Sequence, residues 1–369
     1  MSAVFVLAAG GTGGHLFPAE ALARELVRQG GAVHLATDSR ADAFAEHVPG
    51  VAICQVRAGR LGGGPVHAAY GLAEMAVGIV QARLLLRRLM PDAVIGFGGY
   101  PSVPTMLAAT RLGLPTVIHE QNAVLGRANR LLAPRVQRIA TGFAETAGMR
   151  SAERARAVHT GNPVRPAILA IAQTGYAAPE PGKPIELLIL GGSQGARIFA
   201  DIVPPALTAL PPAIRGALRV SQQARPEDRA RVTAELRESG IEAEVETFFT
   251  DVPSRLARAH LVICRSGAST VAELAVAGRP ALLVPYPHAT DDHQAANARA
   301  VAEAGAGWVM PQASLTPAIL TERLVELLGD PARLRDAASR ARRFGCDDAA
   351  ERLAQLVADL VGTARERAA

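Results

Sequence analysis

Short apolar runs alternate with longer segments of helical spacing along the whole chain. In the first half, the apolar runs predict strands at 4–8, 32–36, 93–97, 116–119 and 138–140. Segments with apolar residues every three to four positions predict helices over 17–29, 39–47, 66–89, 102–112 and 123–132. Alternation of this kind is typical of an α/β protein, in which helices cover both faces of a parallel sheet.

The same order of strand, glycine turn and helix begins again with the apolar run 185–190. Before it, Gly161–Pro166 indicates a domain boundary, and the glycine- and proline-rich stretch 173–184 predicts a surface loop. Further strands are then predicted at 217–221, 244–248, 261–264, 281–284 and 307–309. We therefore expect two Rossmann-like, doubly wound domains that face each other across a cleft. Their predicted bounds are 1–163 and 164–344, with the terminal helix 345–369 packing back on the first domain.

Length and composition narrow the class of protein. A chain of 369 residues with 49% hydrophobic residues is too long for one ordinary core, and two domains are the natural expectation. Aromatic residues make up only 4%, which argues against a stacking surface for single-stranded nucleic acid. The net charge of +5 favours small anionic ligands or an anionic membrane face over nucleic acid.

Cysteine usage and hydropathy indicate the compartment. The three cysteines, Cys54, Cys264 and Cys346, have no metal-binding spacing and suggest reduced thiols in the cytosol. The N-terminal apolar run lacks a preceding basic region, so it is predicted to be a strand and not a signal peptide. Glycines and prolines interrupt the most apolar long stretch, 93–110, so any membrane contact is expected to be peripheral.

The stretch Gly10–His15 follows the first strand directly and has four glycines in five residues. At such a turn the backbone N–H groups and the helix dipole favour an anion, so we predict a ligand-binding loop. It is not a dinucleotide fingerprint, because Leu16 occupies the position of the third glycine. The second turn, from Gly191, fails the same test at Arg197, and no G-K-[ST] phosphate loop occurs.

Four further clusters are rich in glycine or polar groups. Gly96–Ser102 ends a strand, where ligands gather in open sheets, although close packing of strand and helix would also explain its glycines. His119–Asn122 favours a sugar-binding loop, with a helix cap by Asn122 as a compatible alternative. Arg265–Glu273 suits a diphosphate and, at Glu273, ribose hydroxyls; Ser269 is alternatively a helix cap. Pro285–Asn297 predicts polar contacts to a sugar.

A metal site is not expected in the last of these clusters. His288 and His293 are five residues apart across a loop–helix junction, and no third histidine lies near them. We therefore predict no metal there.

Together these clusters resemble the undecaprenyldiphospho-muramoylpentapeptide β-N-acetylglucosaminyltransferases of glycosyltransferase family 28. The resemblance spans nearly the whole chain in order and rests on Gly10–Ala19, Gly98–Tyr100, His119–Asn122, Gly161–Arg165, Gly191–Ala196, Arg265–Glu273 and Gln294–Asn297. It implies a GT-B fold and transfer of N-acetylglucosamine from UDP-GlcNAc to the 4-hydroxyl of the N-acetylmuramoyl unit of lipid I. The product would be lipid II, formed with inversion to a β linkage and without a cofactor.

The resemblance also implies which residues bind the donor. By position in the family pattern they are Thr12, Gly13, Gly14, Asn122, Arg165, Ser193, Phe249, Ala268, Ser269, Thr270, Val271, Ala272, Glu273 and Gln294. Phe249 is expected to act through backbone contact to uracil. The loop before Gln294 is about one residue longer than in some relatives, so His293 competes with Gln294 for its position.

Inverting transfer needs a base for the acceptor hydroxyl and stabilisation of the leaving diphosphate. His15 is a candidate base because an unperturbed histidine titrates near neutral pH. The alternative role for His15 is a structural hydrogen bond that braces the loop. Glu120 is the second candidate base. No D-x-D motif lies near, so N–H donors of the glycine loops are expected to stabilise the diphosphate.

The segment 66–90, which contains the predicted helix 66–89, suggests how the protein meets a membrane. Leu72, Met75, Ile79 and Leu86 share a predicted apolar stripe, and basic residues lie nearby at Arg57, Arg60, Arg83, Arg87 and Arg88. Basic residues beside an apolar stripe suit anionic lipids of the cytoplasmic face of the bacterial inner membrane. Burial of the stripe in the domain core is the alternative.

The sequence is also compatible with two other functions. A UDP-GlcNAc 2-epimerase-like enzyme would share the two Rossmann-like halves but would act without an acceptor. A non-catalytic nucleotide-sugar-binding protein of the cell-wall or division machinery would bind the donor without releasing UDP, although the dense polar loops argue against it. Cell-wall or division proteins are also conceivable partners of the enzyme itself.

Overall fold

The computed structural model describes residues 2–10, 13–38, 48–59, 64–192 and 195–368. The chain divides into two compact units. Unit 1 comprises Met1–Arg165 and Asp347–Ala369, and unit 2 comprises Pro166–Cys346. Each unit is built around one wholly parallel sheet among the described residues, as expected of an α/β protein of Rossmann-like domains.

Unit 1 contains a seven-stranded sheet in the order β3-β2-β1-β4-β5-β6-β7. Its strands are β1 (Val4–Ala8), β2 (Ala32–Thr37), β3 (Ala52–Gln55), β4 (Ala93–Gly96), β5 (Thr116–Glu120), β6 (Arg138–Thr141) and β7 (Ala157–His159). Its helices are α1 (Gly13–Arg28), α2 (Pro65–Leu89), α3 (Ser102–Arg111), α4 (Arg127–Leu132) and α5 (Ser151–Arg154), together with the last helix of the chain.

Successive residues of β1 face opposite sides of this sheet and are buried on both. Phe5 and Leu7 pack in one cluster with Leu22 of α1, and Val6 packs in a second cluster with Met106 of α3. A strand buried on both faces is a continuous apolar run, which is why the sequence pattern located it. The first cluster also takes in the terminal helix, from which it receives Leu353, Ala354, Val357, Leu360 and Val361.

Unit 2 contains a six-stranded sheet in the order β10-β9-β8-β11-β12-β13. Its strands are β8 (Ile185–Leu190), β9 (Leu218–Gln223), β10 (Glu242–Glu246), β11 (Leu261–Cys264), β12 (Ala281–Leu283) and β13 (Gly307–Val309). Its helices are α6 (Pro166–Ala172), α7 (Arg197–Thr208), α8 (Pro212–Arg215), α9 (Pro226–Glu238), α10 (Val252–Arg258), α11 (Ala268–Ala277), α12 (His293–Glu303), α13 (Pro317–Leu328) and α14 (Pro331–Phe344). The terminal helix of unit 1 is α15 (Ala349–Ala368).

Several local predictions need correction. Helix α1 begins at Gly13, four residues before the predicted start, so His15 lies in its first turn. Helix α4 begins at Arg127 and not at 123, because the preceding loop is held by hydrogen bonds to Glu120. The edge strands β3 and β7 and the short helices α5, α6 and α8 were not predicted. The predicted helix 39–47 lies outside the described residues.

The predicted apolar stripe of α2 is wrong in part. Leu86 is 1% exposed and packs in the core, and Met75 and Ile79 are half-buried. Of the predicted stripe only Leu72 is exposed; the other exposed apolar side chains of α2 are Tyr70, Val77, Val80 and Leu84, and the five are 42–68% exposed. Helix α2 is apolar around most of its circumference, so spacing alone could not select the face that stays outside.

The most apolar long segment is also α2 and not 93–110. Within the described residues, Ala69–Leu89 alone is long and apolar enough to cross a membrane by length and composition, and 28% of that stretch is buried. A core helix of a soluble protein meets the same criterion, so the observation establishes only the apolar character of α2.

Candidate active site

In unit 1, the segments singled out by the sequence follow the carboxyl ends of three neighbouring strands, β1, β4 and β5. Gly10 follows β1 closely, and a Cβ atom there would lie 2.9 Å from Cβ of Pro101 and 3.0 Å from the Thr37 hydroxyl oxygen. Only glycine fits such an approach without displacement of its neighbours. Thr12 lies outside the described residues, while Gly13 and Gly14 form the start of α1.

His15 lies in the first turn of α1 against the glycine turn that follows β4. A Cβ atom on Gly99, which has a φ of +69°, would lie 3.3 Å from Nε2 of His15. The other ring nitrogen, Nδ1, lies 3.2 Å from Oε1 of Gln121. The structure therefore brings together residues of three predicted clusters: His15 of the first, Gly99 of the turn after β4 and Gln121 of the cluster His119–Asn122.

The predicted cluster His119–Asn122, which includes the last two residues of β5, is almost entirely buried. His119, Glu120 and Gln121 are 0–2% exposed, so they form an internal network and not a surface loop. Nε2 of His119 donates to the Gly161 carbonyl at 3.0 Å, and burial lowers the pKa of His119 to about 4. The imidazole is therefore neutral at pH 7. Asn122, at the end of the segment, is half-buried.

Glu120 uses both carboxylate oxygens to hold the loop that precedes α4. Oε1 accepts the backbone N–H and the side-chain N–H of Asn122, at 3.0 and 3.2 Å. Oε2 accepts the N–H of Gly126 at 2.8 Å and Nδ2 of Asn129 at 2.9 Å. A carboxylate with four N–H donors in a buried site is a structural brace, which speaks against Glu120 as the base.

Arg165 and Tyr100 make further contacts within unit 1. Arg165 is the last residue of the first of the two chain segments that form unit 1. Its Cζ atom lies 5.3 Å from the centre of the ring of Phe17, a residue of α1. Tyr100 donates to Oδ2 of Asp38 at 2.9 Å, which ties the turn after β4 to the end of β2. Arg165 thus lies beside the helix that carries His15.

In unit 2, the second glycine turn follows β8. Ser193 lies outside the described residues, so the structure does not place this predicted donor contact. On either side of it the turn is tight: a Cβ atom on Gly191 would lie 2.4 Å from the Ala196 nitrogen, and the Gly191 N–H donates to Oε1 of Gln223 at 3.1 Å. The turn therefore depends on glycine as its counterpart in unit 1 does.

Helix α11 carries most of the predicted donor contacts. It begins at Ala268, after Gly267, so Ala268, Ser269, Thr270, Val271 and Ala272 form its first turn and a half. The Ser269 hydroxyl is buried and has no hydrogen-bond partner among the described residues, so a capping role for Ser269 is not seen. Glu273 is 9% exposed, one turn further along. A helix start with unpaired N–H groups beside such a hydroxyl is a place where an anion is stabilised.

The loop before α11 is held by an arginine and two amides. Arg265 donates to the carbonyls of Val284 and Pro285 at 3.1 Å and to Oε1 of Gln312 at 2.7 Å. The Ser266 hydroxyl donates to the Gln294 carbonyl at 2.8 Å, and Asn297 donates to the Ser266 carbonyl at 3.0 Å.

His293 and Gln294, the two candidates for one donor contact, both make hydrogen bonds to the loop that precedes them. Oε1 of Gln294 accepts the Tyr286 N–H at 3.0 Å, within the loop after β12. Nδ1 of His293 donates to the Thr290 carbonyl at 2.7 Å, so this ring closes its own turn. Among the described residues, no group of three or more His, Cys, Asp or Glu side chains is arranged to hold a metal ion.

Phe249 is 4% exposed, whereas the adjacent Phe248 is 67% exposed. Arg255 of α10 lies with Cζ 3.9 Å from the centre of the Phe249 ring. The Phe249 ring is therefore packed within unit 2 against Arg255.

Arg255 holds this loop through a dense set of hydrogen bonds. The guanidinium donates to both oxygens of Glu244 at 2.7 and 2.6 Å, to Oδ1 of Asp251 at 2.9 Å and to the Ser221 hydroxyl at 2.8 Å. The hydrogen bonds from Arg255 lower the pKa of Glu244 and of Asp251. The loop 248–251 is thereby fixed to β9 and β10.

Arg279 connects the two helices that follow the candidate donor loops. It is 1% exposed and donates to the carbonyls of Leu256 and Ala257, in α10, and of Ala277, the last residue of α11. The distances are 2.6, 2.9 and 2.9 Å in that order. Carbonyls near helix carboxyl ends carry partial negative charge, which compensates the buried cation.

Asn129, Arg255 and Arg279 were not identified from the sequence. All three lie within helices or at their ends, outside any glycine or polar cluster, and charged or amide residues there are usually solvated. Arg255 does have a local partner, Asp251, four residues before it, but pairs at this spacing are common on exposed helix faces and do not indicate burial.

Comparison with protein families gives two adjacent matches. The sequence model of the glycosyltransferase family 28 N-terminal domain matches residues 5–141, in unit 1. The model of the glycosyltransferase family 28 C-terminal domain matches residues 186–353, most of unit 2 and the start of α15. Together they cover well over half of the chain.

Individual relatives agree with these matches. A Rhodospirillum rubrum protein named UDP-N-acetylglucosamine–N-acetylmuramyl-(pentapeptide) pyrophosphoryl-undecaprenol N-acetylglucosamine transferase is 58% identical over 95% of this chain and 90% of its own length. The crystal structure of Acinetobacter baumannii MurG superimposes with a TM-score of 0.79 at 30% identity, covering 97% of this chain and all of that one.

A second solved structure bears on the alternative enzyme. The crystal structure of a UDP-N-acetylglucosamine 2-epimerase superimposes with a TM-score of 0.65 at 13% identity, over 96% of this chain and 95% of that one. At this identity the likeness concerns the fold alone.

Proposed function

The chain belongs to glycosyltransferase family 28, and we infer that it is the N-acetylglucosaminyltransferase that converts lipid I to lipid II. The observation that carries this conclusion is the 58% identity to the Rhodospirillum rubrum transferase over 95% of the chain. The donor is UDP-GlcNAc, and the acceptor is N-acetylmuramyl-(pentapeptide) pyrophosphoryl-undecaprenol. The reaction serves peptidoglycan synthesis.

The chemistry is a single displacement at the anomeric carbon. The acceptor 4-hydroxyl oxygen forms a bond to C1 of N-acetylglucosamine while the bond from C1 to the β-phosphate oxygen breaks. UDP leaves with that electron pair, and the hydroxyl proton passes to a base. Attack opposite the leaving group inverts the α-linked donor sugar to a β linkage.

We propose that unit 2 binds the nucleotide and stabilises the leaving diphosphate. The start of α11 supports this, because its first N–H groups lack intrahelical partners and the Ser269 hydroxyl has no partner among the described residues. N–H groups oriented before the reaction stabilise growing phosphate charge at no reorganisation cost. Glu273 and Gln294 are the proposed ribose and sugar contacts, and the backbone of Phe249 is the proposed uracil contact.

We propose that His15 accepts the acceptor proton. His15 lies at the strand ends of unit 1, where Nε2 adjoins Gly99, and Nδ1 is engaged by Gln121. Glu120 is the weaker candidate, because four N–H donors already occupy its carboxylate. Its proposed role is to hold Asn122 in place. Thr12, Gly13, Gly14, Arg165 and Ser193 remain proposed donor contacts by their positions in the family pattern.

The test of the reaction is acceptor-dependent release of UDP. The purified chain is incubated with UDP-GlcNAc, with and without a soluble short-chain lipid I analogue, and both UDP and the disaccharide product are quantified. We expect UDP release and disaccharide in equal amounts, and only with the acceptor. Conversion of UDP-GlcNAc without acceptor would indicate an epimerase, and no UDP release with any acceptor would indicate a binding protein.

We also propose that unit 1 docks on the cytoplasmic face of the inner membrane, where the lipid-linked acceptor resides. The outward face of α2 supports this, with Tyr70, Val77, Val80 and Leu84 exposed in one row. Arg83, Arg87 and Arg88 are exposed toward the end of the same helix. An apolar row that ends in basic residues favours anionic lipid. Arg57 contacts Glu74 of α2, and Arg60 lies outside the described residues.

Vesicle sedimentation tests this docking. We expect the full chain to bind phosphatidylglycerol-containing vesicles more strongly than neutral phosphatidylcholine vesicles. The double variant Val80→Asp, Leu84→Asp should lose most of this binding, while the matched variant Ile319→Asp, at an exposed apolar site of unit 2, should retain it. Equal binding to both vesicles, or equal loss with the two variants, would contradict the proposal.

A further inference from the structure

A chain of hydrogen bonds runs from the first turn of α1 into the interior of unit 1. Nδ1 of His15 contacts Oε1 of Gln121 at 3.2 Å, and Nε2 of Gln121 contacts Nδ1 of His119 at 3.1 Å. Nε2 of His119 then contacts the Gly161 carbonyl at 3.0 Å. Each member has two possible hydrogen-bonding arrangements, so the fixed groups at the inner end decide which one the whole chain adopts.

The orientation of the Gln121 amide is determined by backbone carbonyls. Its Nε2 lies 2.9 Å from the Phe97 carbonyl oxygen and 3.2 Å from that of His119. Carbonyl oxygens only accept, so the atom facing them must be the amide NH₂. A flipped amide would bury an oxygen against two oxygens and leave both carbonyls without this donor. Oε1 is therefore the atom that faces His15.

The tautomer of His119 is determined in the same way. The Gly161 carbonyl accepts only, so Nε2 of His119 carries the proton. Full burial keeps the ring neutral, since it lowers the pKa of His119 to about 4. Nδ1 of His119 is then an acceptor, and it shares the two N–H groups of Gln121 with the carbonyls of Phe97 and His119.

The same reasoning determines the tautomer of His15. An amide oxygen accepts and does not donate, so Nδ1 of His15 must carry the proton that meets Oε1 of Gln121. In a neutral imidazole the other nitrogen is then unprotonated. The lone pair therefore lies on Nε2, the nitrogen next to Gly99 and away from Gln121.

We propose that Gln121 and His119 are positioning residues that hold His15 in the Nδ1–H tautomer, so that Nε2 is the proton acceptor. This inference rests on the proposed function where it calls Nε2 of His15 the proton acceptor. The tautomer itself is a property of the unliganded protein. The opposite tautomer would set the Nδ1 lone pair against Oε1 of Gln121. Neither positioning residue needs to contact the substrate.

The direct test is the protonation state of each histidine nitrogen, read by long-range ¹H–¹⁵N correlation spectra of the full chain labelled in histidine. Signals of His15 and His119 are assigned from their loss in His15→Gln and His119→Gln. Two other histidines calibrate the spectrum. Nδ1 of His293 donates to a carbonyl, and Nδ1 of His260 accepts the Glu186 N–H, so they are expected to have opposite tautomers.

We expect His15 to match His293, with the proton on Nδ1, and His119 to match His260, with the proton on Nε2. In Gln121→Leu, His15 should shift toward the Nε2–H form, while His260 and His293 stay unchanged and so report an intact unit 2. A wild-type His15 protonated on Nε2 would overturn the proposal. So would a His15 tautomer that is insensitive to Gln121→Leu.

Kinetics then separate this inference from the proposed function. Gln121→Leu should lower kcat at least about tenfold, as expected for loss of the group that fixes a catalytic tautomer, with KM for UDP-GlcNAc little changed. Unchanged kcat in a variant whose His15 tautomer has shifted would overturn the positioning role. Predicted tautomers together with full activity of His15→Ala would instead refute His15 as the base and leave the tautomer assignment standing.

Discussion

The two units hold their candidate ligand loops with side chains of different charge. In unit 1 the groups that lead to His15 are neutral: His119 and Gln121 are buried and pass hydrogen bonds outward to His15. The one buried carboxylate beside them, Glu120, is compensated by four N–H donors of the next loop. In unit 2 the inner groups are cationic: Arg255 and Arg279 are 7% and 1% exposed and are held by carboxylates or carbonyls. The sheets are alike, so the difference lies in the side chains below the loops.

The difference matches what each loop is proposed to do. A proton acceptor must stay unprotonated, and the two side chains that hold His15 in position, Gln121 and His119, carry no charge. A diphosphate site gains from positive potential, and guanidiniums remain charged even when buried. We therefore expect unit 1 to be sensitive to acid and to changes of hydrogen-bond direction, and unit 2 to be sensitive to loss of guanidinium groups.

The largest effect is expected from Arg279→Ala. The substitution leaves a cavity and removes the donor from the carbonyls of Leu256, Ala257 and Ala277, so unit 2 should lose about 4 kcal/mol of stability. Urea unfolding followed by fluorescence of Trp308, the single tryptophan and a residue of β13, reads this unit. The exposed Arg258→Ala in the same helix pair is the control and should change stability by less than about 0.5 kcal/mol. Equal losses of stability in Arg279→Ala and Arg258→Ala would contradict the role of Arg279 in holding unit 2 together.

Acid should weaken unit 1 through His119. The unfolded chain binds a proton at the ordinary histidine pKa of 6.5, but the folded chain does not until the pH reaches about 4, the lowered pKa of the buried ring. The stabilisation is therefore complete above pH 6.5 and is lost as pH falls toward 4, by roughly 3 kcal/mol over that range. Burial also lowers the pKa of His34 and of His159, which adds to the effect with the same sign.

Urea titrations at pH 7 and pH 5, followed by circular dichroism, measure this loss. His119→Gln should flatten the dependence on pH, because the amide does not titrate. The Trp308 transition should shift less, since in unit 2 only His260, among the histidines with a resolved shift, has a lowered pKa. An unchanged dependence on pH in His119→Gln would contradict the explanation given for unit 1.

A smaller effect is expected from Arg255→Met, which keeps much of the side-chain volume but loses the hydrogen bonds to Glu244, Asp251 and Ser221. Without them the loop 248–251 is less well fixed, so KM for UDP-GlcNAc should rise about tenfold with kcat nearly constant, as for loss of uniform binding. Arg258→Ala again serves as the control. A fall of kcat at constant KM would mean that Arg255 serves the chemical step and not the nucleotide loop.

Much of the fold was predictable because buried parallel strands are continuous apolar runs. Strands β1, β8, β11 and β13 have the predicted bounds. Edge strands such as β3 were missed because half-exposed strands lack such runs. The start of α1 was misplaced because Gly13 and Gly14 disfavour a helix intrinsically, yet both are helical in the structure.

Less of the candidate site was predictable. The sequence located His15 and the segment His119–Asn122, because polar residues after a strand are informative. It could not show that Glu120 holds the loop before α4 or that Gln121 orients His15. Neighbouring polar residues look alike in a sequence, and only the folded structure gives their contacts. The sequence did not single out the guanidiniums of unit 2, because the partners that bury them lie elsewhere in the chain: Glu244 of β10 for Arg255, and carbonyls of α10 for Arg279.

The central claim is that His15 accepts the proton of the acceptor hydroxyl. Its most direct test is kcat for His15→Ala with UDP-GlcNAc and a soluble lipid I analogue, beside the affinity for UDP measured separately. We predict that kcat falls about 100-fold or more while UDP affinity stays within about twofold. Activity within about threefold of the unsubstituted enzyme would contradict the claim.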